Sequence, residues 1–324
     1  MKSFEWVQPA TLAEAIEALK HPGSMPIAGG VDLLDRMKER IAAPTRLVSL
    51  RRLPMFGHID VASTGARIGA RVTLAELASD AALAKSHPIV ALAASHAATP
   101  QLRAMATLGG NIAQRPRCWY FRSEAFNCRK KGGTTCFAQT GENELHSIYN
   151  NKTCAATHPS TVVTALIALG AKVEITGTKT REVELEKLFV SPETDVKREI
   201  ELARGELITA ITIPPTTKKQ AYTKQVAKQS FDWPIVDCAV ALQMNGAKCE
   251  SAIIVLGAVA PTPLRATAAE ALLTGKSIDE NLAREAGRAM AKAATPLSKN
   301  AFKIPIVETV IARTIMAAAV ARAS

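Results

Sequence analysis

The sequence predicts an α+β chain of two or three domains, and three observations lead to this class. The chain has 324 residues, which exceeds the length at which a single hydrophobic core keeps growing. Short apolar runs alternate with helical patterns over the first hundred residues. In the C-terminal third, strand patterns are followed by Ala-rich helical patterns, an order typical of a separate α+β domain.

The N-terminal elements follow from local pattern. TLAEAIEAL, from Thr11, has apolar residues at helical spacing behind a Thr cap. MPIAGG reads as a buried strand that breaks at two glycines, DLLDRMKERI as a helix, and LVSL as an extended segment. RIGARVTLAELA predicts a strand and then a helix beginning at Thr73, and a long Ala-rich helix is expected through HPIVALAASHAA. ATLGGNIA is interpreted as a second apolar strand that turns at a glycine pair.

The second half of the chain contains the clearest boundary. A helix is expected to begin near Ser160, and GELITAITIPP reads as a strand closed by Pro214 and Pro215. This double proline predicts the end of a first domain at residue 215 and a second domain over 216–324. Strands are expected in YTKQVAKQ, CAVALQM and SAIIVLGAVA, followed by helices. Cys238 and Cys249 fall in or beside these strands and are interpreted as small buried hydrophobes.

Composition excludes several classes of protein. The net charge is +11, but Lys and Arg are spread along the chain, and no aromatic-basic pattern indicates nucleic-acid binding. The longest apolar runs are shorter than the roughly 20 residues of a membrane span. Glu5 and Pro9 interrupt the segment that a secretory signal would need to keep apolar, so we expect no export signal in the chain itself.

Two glycine pairs, Gly29-Gly30 and Gly109-Gly110, suggest an anion site. Glycine permits a positive φ and removes the Cβ that would block a ligand, so that successive N–H groups can face one anion. Either pair alone is more typical of an ordinary turn, and neither has the spacing of the familiar nucleotide motifs. Because each is followed by a short polar side chain (Asp32, Asn111), the two together favour a shared phosphate site.

Four of the six cysteines lie in one Gly-rich, basic stretch, at Cys118, Cys128, Cys136 and Cys154. A structural zinc site usually has CxxC-like spacing, which is absent here. Disulfides are unexpected in a large chain without an export signal. A [4Fe–4S] cluster can take widely spaced thiolates from a wrapping loop, and nearby cations would offset its charge. The spacing leaves the cluster, unrelated thiols, zinc and disulfides open.

A basic run accompanies these cysteines. It could be a solvated face, a counter-charge for a cluster, or a docking surface for an acidic electron carrier, whose association such charges would accelerate. The run consists of Arg115, Arg117, Arg122, Arg129, Lys130 and Lys131.

Several segments resemble one family over essentially the whole chain. IAGGVDLL, TPQLRAMATLGGNIAQRPRC, ATHPS, GELITAITIP and LGAVAPTPLRA are similar to the FAD-binding subunit of molybdenum hydroxylases, the xanthine dehydrogenase and CO dehydrogenase family. The cysteine loop, over 115–157, resembles that of the FAD subunit of bacterial periplasmic-type aldehyde oxidoreductases, which carries an extra [4Fe–4S] cluster. The beta subunit of 4-hydroxybenzoyl-CoA reductase has a similar insertion. The resemblance implies an FAD-binding domain (PCMH-type) of two subdomains, split near residue 58, and a CO dehydrogenase flavoprotein-like α+β C-terminal domain.

The resemblance also implies a set of site residues. Two segments would enclose the FAD pyrophosphate, Ile208 and Lys224 would lie beside the flavin, and the four loop cysteines would hold the cluster. Thr161 stands where the family usually has an Asp that hydrogen-bonds FAD, which puts this contact in doubt. The pyrophosphate segments are Met25, Pro26, Ile27, Ala28, Gly29, Gly30, Val31, Asp32 and Leu33 on one side, and Thr107, Gly109, Gly110 and Asn111 on the other.

By the same resemblance, the chain relays electrons while a partner subunit holding molybdopterin oxidises an aldehyde. A [2Fe–2S] subunit would complete a heterotrimer or its dimer, and a ferredoxin-like protein is a candidate acceptor. No catalytic residue is expected in this chain. The alternatives are a subunit of a 4-hydroxybenzoyl-CoA reductase-like complex, a self-contained flavin oxidase, and a zinc-stabilised interaction module. The compartment would be the cytoplasm, or the periplasm by co-export with a partner.

Overall fold

The computed structural model describes residues 1–53, 56–228 and 231–321, and its strands form three sheets. The first sheet is parallel, in the order β1-β3-β2. It lies at the N-terminus, with one helix following its first strand and another following its second. The strands are β1 (Glu5–Val7), β2 (Ser24–Ile27) and β3 (Arg46–Ser49).

The second sheet is antiparallel and has five strands in the order β4-β5-β8-β6-β7. Its central strand comes last in the sequence and pairs with a strand on each side. A long segment of helices and the cysteine loop is therefore inserted between neighbouring strands. The strands are β4 (Ile59–Ala62), β5 (Gly65–Gly69), β6 (Lys172–Thr176), β7 (Thr180–Glu184) and β8 (Leu207–Ile213).

The third sheet is antiparallel, in the order β12-β11-β10-β9, and belongs to the C-terminal part of the chain. Its two central strands are ten residues long and buried along most of their length. Cys238 and Cys249 are fully buried here, which confirms their interpretation as core residues. The strands are β9 (Lys219–Gln225), β10 (Val236–Asn245), β11 (Lys248–Gly257) and β12 (Leu264–Arg265).

Several helices begin at residues whose side chains cap them. Thr11 accepts a hydrogen bond from Glu14 N–H, Thr73 forms a capping box with Glu76, and Ser160 caps the helix after it. The helices are α1 (Leu12–Lys20), α2 (Leu33–Lys38), α3 (Leu74–Ser79), α4 (Ala81–Ser86), α5 (Pro88–Ser95), α6 (Pro100–Met105), α7 (Leu108–Ile112), α8 (Trp119–Arg122), α9 (Thr161–Ala168), α10 (Thr267–Leu273), α11 (Glu280–Lys292) and α12 (Lys303–Val320).

Two local expectations were wrong. The Ala-rich stretch is not one long helix, because Asp80 caps a new helix start and Pro88 begins another. The second glycine pair does not end a strand; it lies inside α7, whose first turn is capped by Thr107. The apolar periodicity was correct in both places, but capping side chains determined where each helix begins.

The helix α9 joins the second and third sheets. All eight of its residues are buried, and one hydrophobic cluster contains side chains of β5, β6 and β8 together with Tyr222, Ala239 and Val255 of the third sheet. The predicted domain boundaries near residues 58 and 215 fall in segments between the sheets. They remain predictions, because the hydrophobic cluster described above contains residues from both sides of residue 215. In the described part of the chain, no helix is long and apolar enough to cross a bilayer.

Candidate functional site

A cavity of about 580 Å³ lies where the first two sheets, the α6–α7 segment and the third sheet meet. Five separate segments with predicted site residues reach it: the end of β2 and the start of α2, the start of α7, the start of α9, β8 and β9. All sixteen residues predicted for the cofactor line its wall. They are Met25, Pro26, Ile27, Ala28, Gly29, Gly30, Val31, Asp32, Leu33, Thr107, Gly109, Gly110, Asn111, Thr161, Ile208 and Lys224.

The first glycine turn follows β2. A Cβ on Gly29 would lie 1.7 Å from the Met105 carbonyl oxygen, so this glycine is required by contact between two walls of the cavity rather than by a ligand. Gly30 has a φ of +76°, a conformation that L side chains rarely adopt. Among the described residues, the N–H groups of Gly29, Gly30 and Val31 have no protein acceptor. The turn therefore presents successive free donors, as an anion site requires.

The second glycine pair forms the opposite wall. Thr107 Oγ1 accepts a hydrogen bond from Gly110 N at 3.3 Å, and Gly109 N donates to the Ala70 carbonyl at 2.8 Å. A Cβ on Gly109 would lie 2.9 Å from the Ala70 Cβ. Its absence brings α7 against β5, which is again a packing requirement. Asn111 is fixed by a short hydrogen bond from Ser160 Oγ.

Three further predicted residues line the part of the cavity formed by α9, β8 and β9, namely Thr161, Ile208 and Lys224. Lys224 Nζ donates to the His96 carbonyl at 2.7 Å, and burial lowers the pKa of this lysine. The Thr161 hydroxyl donates to the Ala93 carbonyl at 3.4 Å, and it opposes the rise that burial causes in the pKa of the neighbouring Tyr222 phenol. This part of the cavity thus combines one cation, one hydroxyl and an aliphatic side chain.

Asp32 connects the cavity wall to the cysteine loop. Its carboxylate lies 2.9 Å from Arg36 Nε, 2.6 Å from an Arg122 nitrogen and 3.3 Å from an Arg117 nitrogen. Burial raises the pKa of this carboxyl, but the three guanidinium groups outweigh burial and hold the pKa below its usual value. The side chain predicted to enclose a pyrophosphate therefore serves chiefly as an anchor for arginines.

The sequence reasoning missed several residues of the cavity. Half-exposed Phe231 and Trp233 lie at its margin, where the Arg103 and Arg117 guanidinium groups stand 5.9 and 5.2 Å from the respective ring centroids. The FDWP segment could have been noticed as an aromatic pair beside a proline in a chain with few aromatics. Arg71 and Phe56 also line the wall, and no local pattern pointed to them.

The cysteine loop has little regular structure and is held by contacts at both ends. A small cluster of Tyr120, Phe126 and Phe137 packs with ring centroids 4.9 to 6.1 Å apart. The later part of the loop is attached to the C-terminal domain, where Ile148 N donates to the Val259 carbonyl at 2.9 Å. The loop is therefore packed on the same body as the third sheet.

The four loop cysteines are near one another and all are free thiols. The neighbouring Cys154 lowers the pKa of the Cys136 thiol to about 6, and Cys136 in turn raises the pKa of Cys154. Burial raises the pKa of Cys118 to about 11, with further increases from Cys128 and Cys136. His146 Nε2 lies 3.2 Å from Cys118 Sγ. The loop thus brings the four sulfurs into one electrostatic neighbourhood and forms no disulfide.

Backbone donors are directed at three of these sulfurs. Cys118 accepts from the N–H groups of Tyr120 and Phe121, Cys136 from those of Ala138 and Ala155, and Cys154 from that of Ala156. Such donors stabilise thiolates. No three His, Cys, Asp or Glu side chains among the described residues are grouped so as to hold one metal ion.

The basic run is directed into the protein. Lys130 is buried and pairs with Glu199 at 2.7 Å, Arg115 also pairs with Glu199, and Arg129 Nη1 donates to the Thr153 carbonyl at 3.0 Å. Lys131 Nζ donates to the Tyr120 carbonyl at 3.2 Å. None of the six cations of the run is classed as exposed. These contacts favour a structural role over a docking surface.

Comparison with known proteins assigns the family. Residues 2–216 match the model described as FAD binding domain in molybdopterin dehydrogenase, and residues 221–318 match the CO dehydrogenase flavoprotein C-terminal domain. The chain is 34% identical over 319 residues to the aldehyde oxidoreductase FAD-binding subunit PaoB of Escherichia coli, covering 96% of this chain and 97% of that protein. It is 31% identical to the carbon monoxide dehydrogenase medium chain of Afipia carboxidovorans, covering 86% and 82%.

Solved structures agree with this assignment. A chain of quinoline 2-oxidoreductase from Pseudomonas putida has a TM-score of 0.77 at 25% identity, and one of reconstituted CO dehydrogenase from Oligotropha carboxidovorans has 0.77 at 28%. Each match covers 98% of both chains. The predicted fold class is thereby confirmed. The chain belongs to the FAD-binding medium subunits of the multi-subunit molybdenum hydroxylase family.

Proposed function

We propose that this chain is the FAD- and [4Fe–4S]-containing electron-transfer subunit of a molybdenum-dependent aldehyde oxidoreductase complex. Electrons from an aldehyde oxidised on a molybdenum subunit pass through a [2Fe–2S] subunit and the FAD of this chain to an external acceptor. The observation that carries the proposal is the convergence of sixteen residues from five segments on one cavity. The aldehyde substrate is supported by the 34% identity to the E. coli FAD-binding subunit.

The pyrophosphate of FAD is proposed to lie between the two glycine turns. The free N–H groups of Gly29, Gly30 and Val31 are donors of the kind that phosphate oxygens need. The opposite wall contributes the Thr107-capped turn of α7. Arg36 and Arg117 also line the cavity and add positive charge near this end, although Asp32 neutralises part of it.

The flavin ring is proposed to lie beside Thr161, Ile208 and Lys224. When bound, FAD supplies the exchange between two-electron and one-electron steps. Lys224 is held in place by the His96 carbonyl and offers a positive charge toward the ring. Ile208 gives an apolar contact and helps exclude water, while Thr161 offers a hydroxyl where the family usually has a carboxylate.

The cluster is proposed to be held by Cys118, Cys128, Cys136 and Cys154. Its support is the shared neighbourhood of the four thiols and the backbone N–H groups directed at three of them. Arg129 also lowers the pKa of Cys136. A bound [4Fe–4S] cluster would supply one-electron transfer, and its ligands in a wrapping loop suit that group.

The remaining parts of the proposal concern other molecules. The complex is a heterotrimer or its dimer, working in the cytoplasm or, after co-export with a partner, in the periplasm. A ferredoxin-like acceptor stays within the proposal, but its docking surface is not the basic run, because those cations pair inside the chain.

The proposal is tested by co-purifying the complex anaerobically and measuring flavin absorbance, iron, acid-labile sulfide and the electron paramagnetic resonance spectrum after reduction. We expect flavin and four irons per copy of this chain in excess of the partner's clusters. The chain purified alone should contain flavin and oxidise no aldehyde. Absence of flavin in both preparations would refute the proposal.

A matched pair of cysteine variants tests the cluster separately. Cys154→Ser should remove the cluster iron and leave the flavin, whereas Cys249→Ser, in the buried C-terminal sheet, should leave both. Zinc in place of iron, or equal iron in all three proteins, would contradict the [4Fe–4S] assignment without affecting the FAD assignment.

A further inference from the structure

A buried carboxyl lies behind the flavin end of the cavity and has no role in the proposed function. Asp237, on β10, is 1% exposed and forms no ion pair among the described residues. Its oxygen Oδ2 accepts a hydrogen bond from the Tyr222 hydroxyl at 3.3 Å. Burying a carboxyl without a cationic partner is costly, so the fold keeps this acid in spite of its cost.

The neighbouring residues make room for this carboxyl. A Cβ on Gly257, the residue opposite Asp237 on β11, would lie 2.1 Å from Asp237 Oδ1 and 2.7 Å from Thr164 Oγ1. Only a glycine at this position leaves space for both polar groups. Thr164, on α9 three residues after Thr161, donates its hydroxyl to the Ser160 carbonyl at 3.4 Å and opposes the rise that burial causes in the pKa of the Asp237 carboxyl.

The polar groups form a row that reaches the cavity. Thr161 lines the cavity, and its hydroxyl donates to the Ala93 carbonyl at 3.4 Å. The same hydroxyl is near enough to the Tyr222 phenol to oppose the rise that burial causes in the pKa of that phenol, and the Tyr222 hydroxyl donates to Asp237. Tyr222 is 7% exposed and Thr161 4%, so bulk water does not compete along the row. Two side chains, Tyr222 and Thr161, thus lie between the buried acid and the place proposed for the flavin.

We propose that Asp237 exchanges a proton with the flavin end of the cavity through Tyr222 and Thr161, and so couples flavin reduction to proton movement inside this chain. The inference rests on the proposed function, because it requires the flavin ring to lie beside Thr161. If Asp237 exchanges a proton in this way, it differs from a buried structural acid in one respect. The charge of the Asp237 carboxyl then changes with the redox state of the flavin.

The charges that face Asp237 suit this role. Burial raises the pKa of the carboxyl to about 7, while the hydroxyls of Thr164 and Tyr222 and the charges of Lys224 on β9 and Lys303 on α12 lower it. Cys238 is adjacent on the same strand, and Gly257 on β11 carries no charge. Burial lowers the pKa of Lys303 to about 7. The surroundings therefore leave the carboxyl able to gain and lose a proton near neutral pH.

The exchange moves one proton and no electrons. In the delivering direction, Asp237 gives its proton to the Tyr222 oxygen, Tyr222 gives its hydroxyl proton to Thr161, and Thr161 gives its own to the cavity. The electrons come from the aldehyde oxidised on the partner subunit. When electrons leave for the acceptor, the same three transfers run in reverse. Each hydroxyl gains one proton and loses one, so only Asp237 changes its charge.

The test measures the flavin midpoint potential of the assembled complex against pH, within about one pH unit of neutrality. One additional proton per two electrons changes the equilibrium constant tenfold per pH unit, which is about 30 mV. Because Asp237 supplies this proton in place of solvent, the wild type should show a slope shallower by this amount than Asp237→Asn, which keeps the shape but cannot titrate. Cys238→Ala is the control for altered packing on the same strand and should retain the wild-type slope.

A second variant decides the matter if Asp237→Asn does not retain flavin. Tyr222→Phe interrupts the row, so the reduced flavin has to take this proton from solvent, and its protonation during rapid chemical reduction, followed by flavin absorbance, should lag flavin bleaching by about tenfold or more. Equal slopes in wild type and a flavin-containing Asp237→Asn, a steepened slope in Cys238→Ala, or no lag in Tyr222→Phe would overturn the inference. A wild-type preparation without flavin would instead refute the proposed function.

Discussion

The cavity wall and the cysteine loop are stabilised by different kinds of contact. The wall is built from backbone contact, because Gly29 and Gly109 allow separate segments to touch. The loop is built from charged side chains turned inward, such as Lys130 and Arg129, which satisfy carboxylates and carbonyls that helices or strands would otherwise satisfy. The wall should therefore be sensitive to added volume, and the loop to lost charge.

The largest effect is expected for added volume at the wall. In Gly29→Ala the new Cβ would meet the Met105 carbonyl at 1.7 Å, so the two walls must separate. We expect a loss of more than about 3 kcal/mol of unfolding free energy and of the bound flavin, measured by denaturant titration and absorbance. Gly246→Ala is the control, since nothing lies within 4 Å of its Cβ position and only its positive φ costs about 1 kcal/mol. Similar losses in both variants would contradict the contact argument.

The next effect is expected for lost charge in the loop. Lys130→Ala leaves Glu199 with one cation fewer in a buried site, and removing one partner of a buried pair costs about 3 kcal/mol. The iron content should fall while the flavin is retained. Lys152→Ala, an exposed lysine of the same loop, should change neither. If the two variants behaved alike, the inward cations would not hold the loop.

A smaller effect is expected where the two regions join. Asp32→Asn removes the charge that holds Arg36, Arg117 and Arg122 together, and we expect a cost of about 2 kcal/mol and weaker flavin retention. Asp35→Asn is the matched control, because its half-exposed carboxylate stands 3.7 to 3.8 Å from Arg122 and Arg117; it should cost less than about 1 kcal/mol. Thermal unfolding and flavin release measure the effect of each variant. A larger loss in Asp35→Asn than in Asp32→Asn would show that Asp32 does not connect the cavity wall to the loop.

The effect that is smallest over a single pH unit concerns acid. Burial lowers the pKa of His158 from 6.5 to about 3, so between these values the unfolded chain binds a proton that the folded chain does not. Stability is therefore lost as pH falls through this window, by about 1.4 kcal/mol per pH unit for this group. His158→Gln should flatten the acid limb of stability against pH, while His21→Gln, at an exposed position, should not. An unchanged limb in His158→Gln would show that other groups dominate acid unfolding.

Whether a feature depends on local or on long-range contacts explains which parts of the site could be predicted from the sequence. Capped helix starts at Thr11, Thr73 and Ser160 and the strand before Gly29 depend on neighbours in the sequence, so local pattern was sufficient. The placement of sixteen cofactor residues came from family resemblance rather than from local pattern. Arg71 reaches the cavity only through tertiary packing, and the helix at Leu108–Ile112 was missed because the Thr107 cap was overlooked beside two glycines.

The cysteine loop was less predictable for a physical reason. Spacing brought attention to the four thiols, but their surroundings depend on long-range contacts such as that between Ile148 and Val259. The inward direction of the basic run likewise depends on Glu199, which lies far along the chain. Charge in a sequence window does not reveal whether its partner is solvent or a distant carboxylate.

The helix α9 has a consequence for how this protein can be divided. It precedes the double proline in the sequence, yet it is buried on every face and packs on β10 and β11 beyond that point. A fragment ending at Ile213 would leave this apolar helix uncovered, and a chimera joined at Pro214 would have to match the α9 side chains to a new sheet. The two segments that match family models can therefore be separated in the sequence but do not fold as separate units. A domain exchange between relatives would have to transfer both segments.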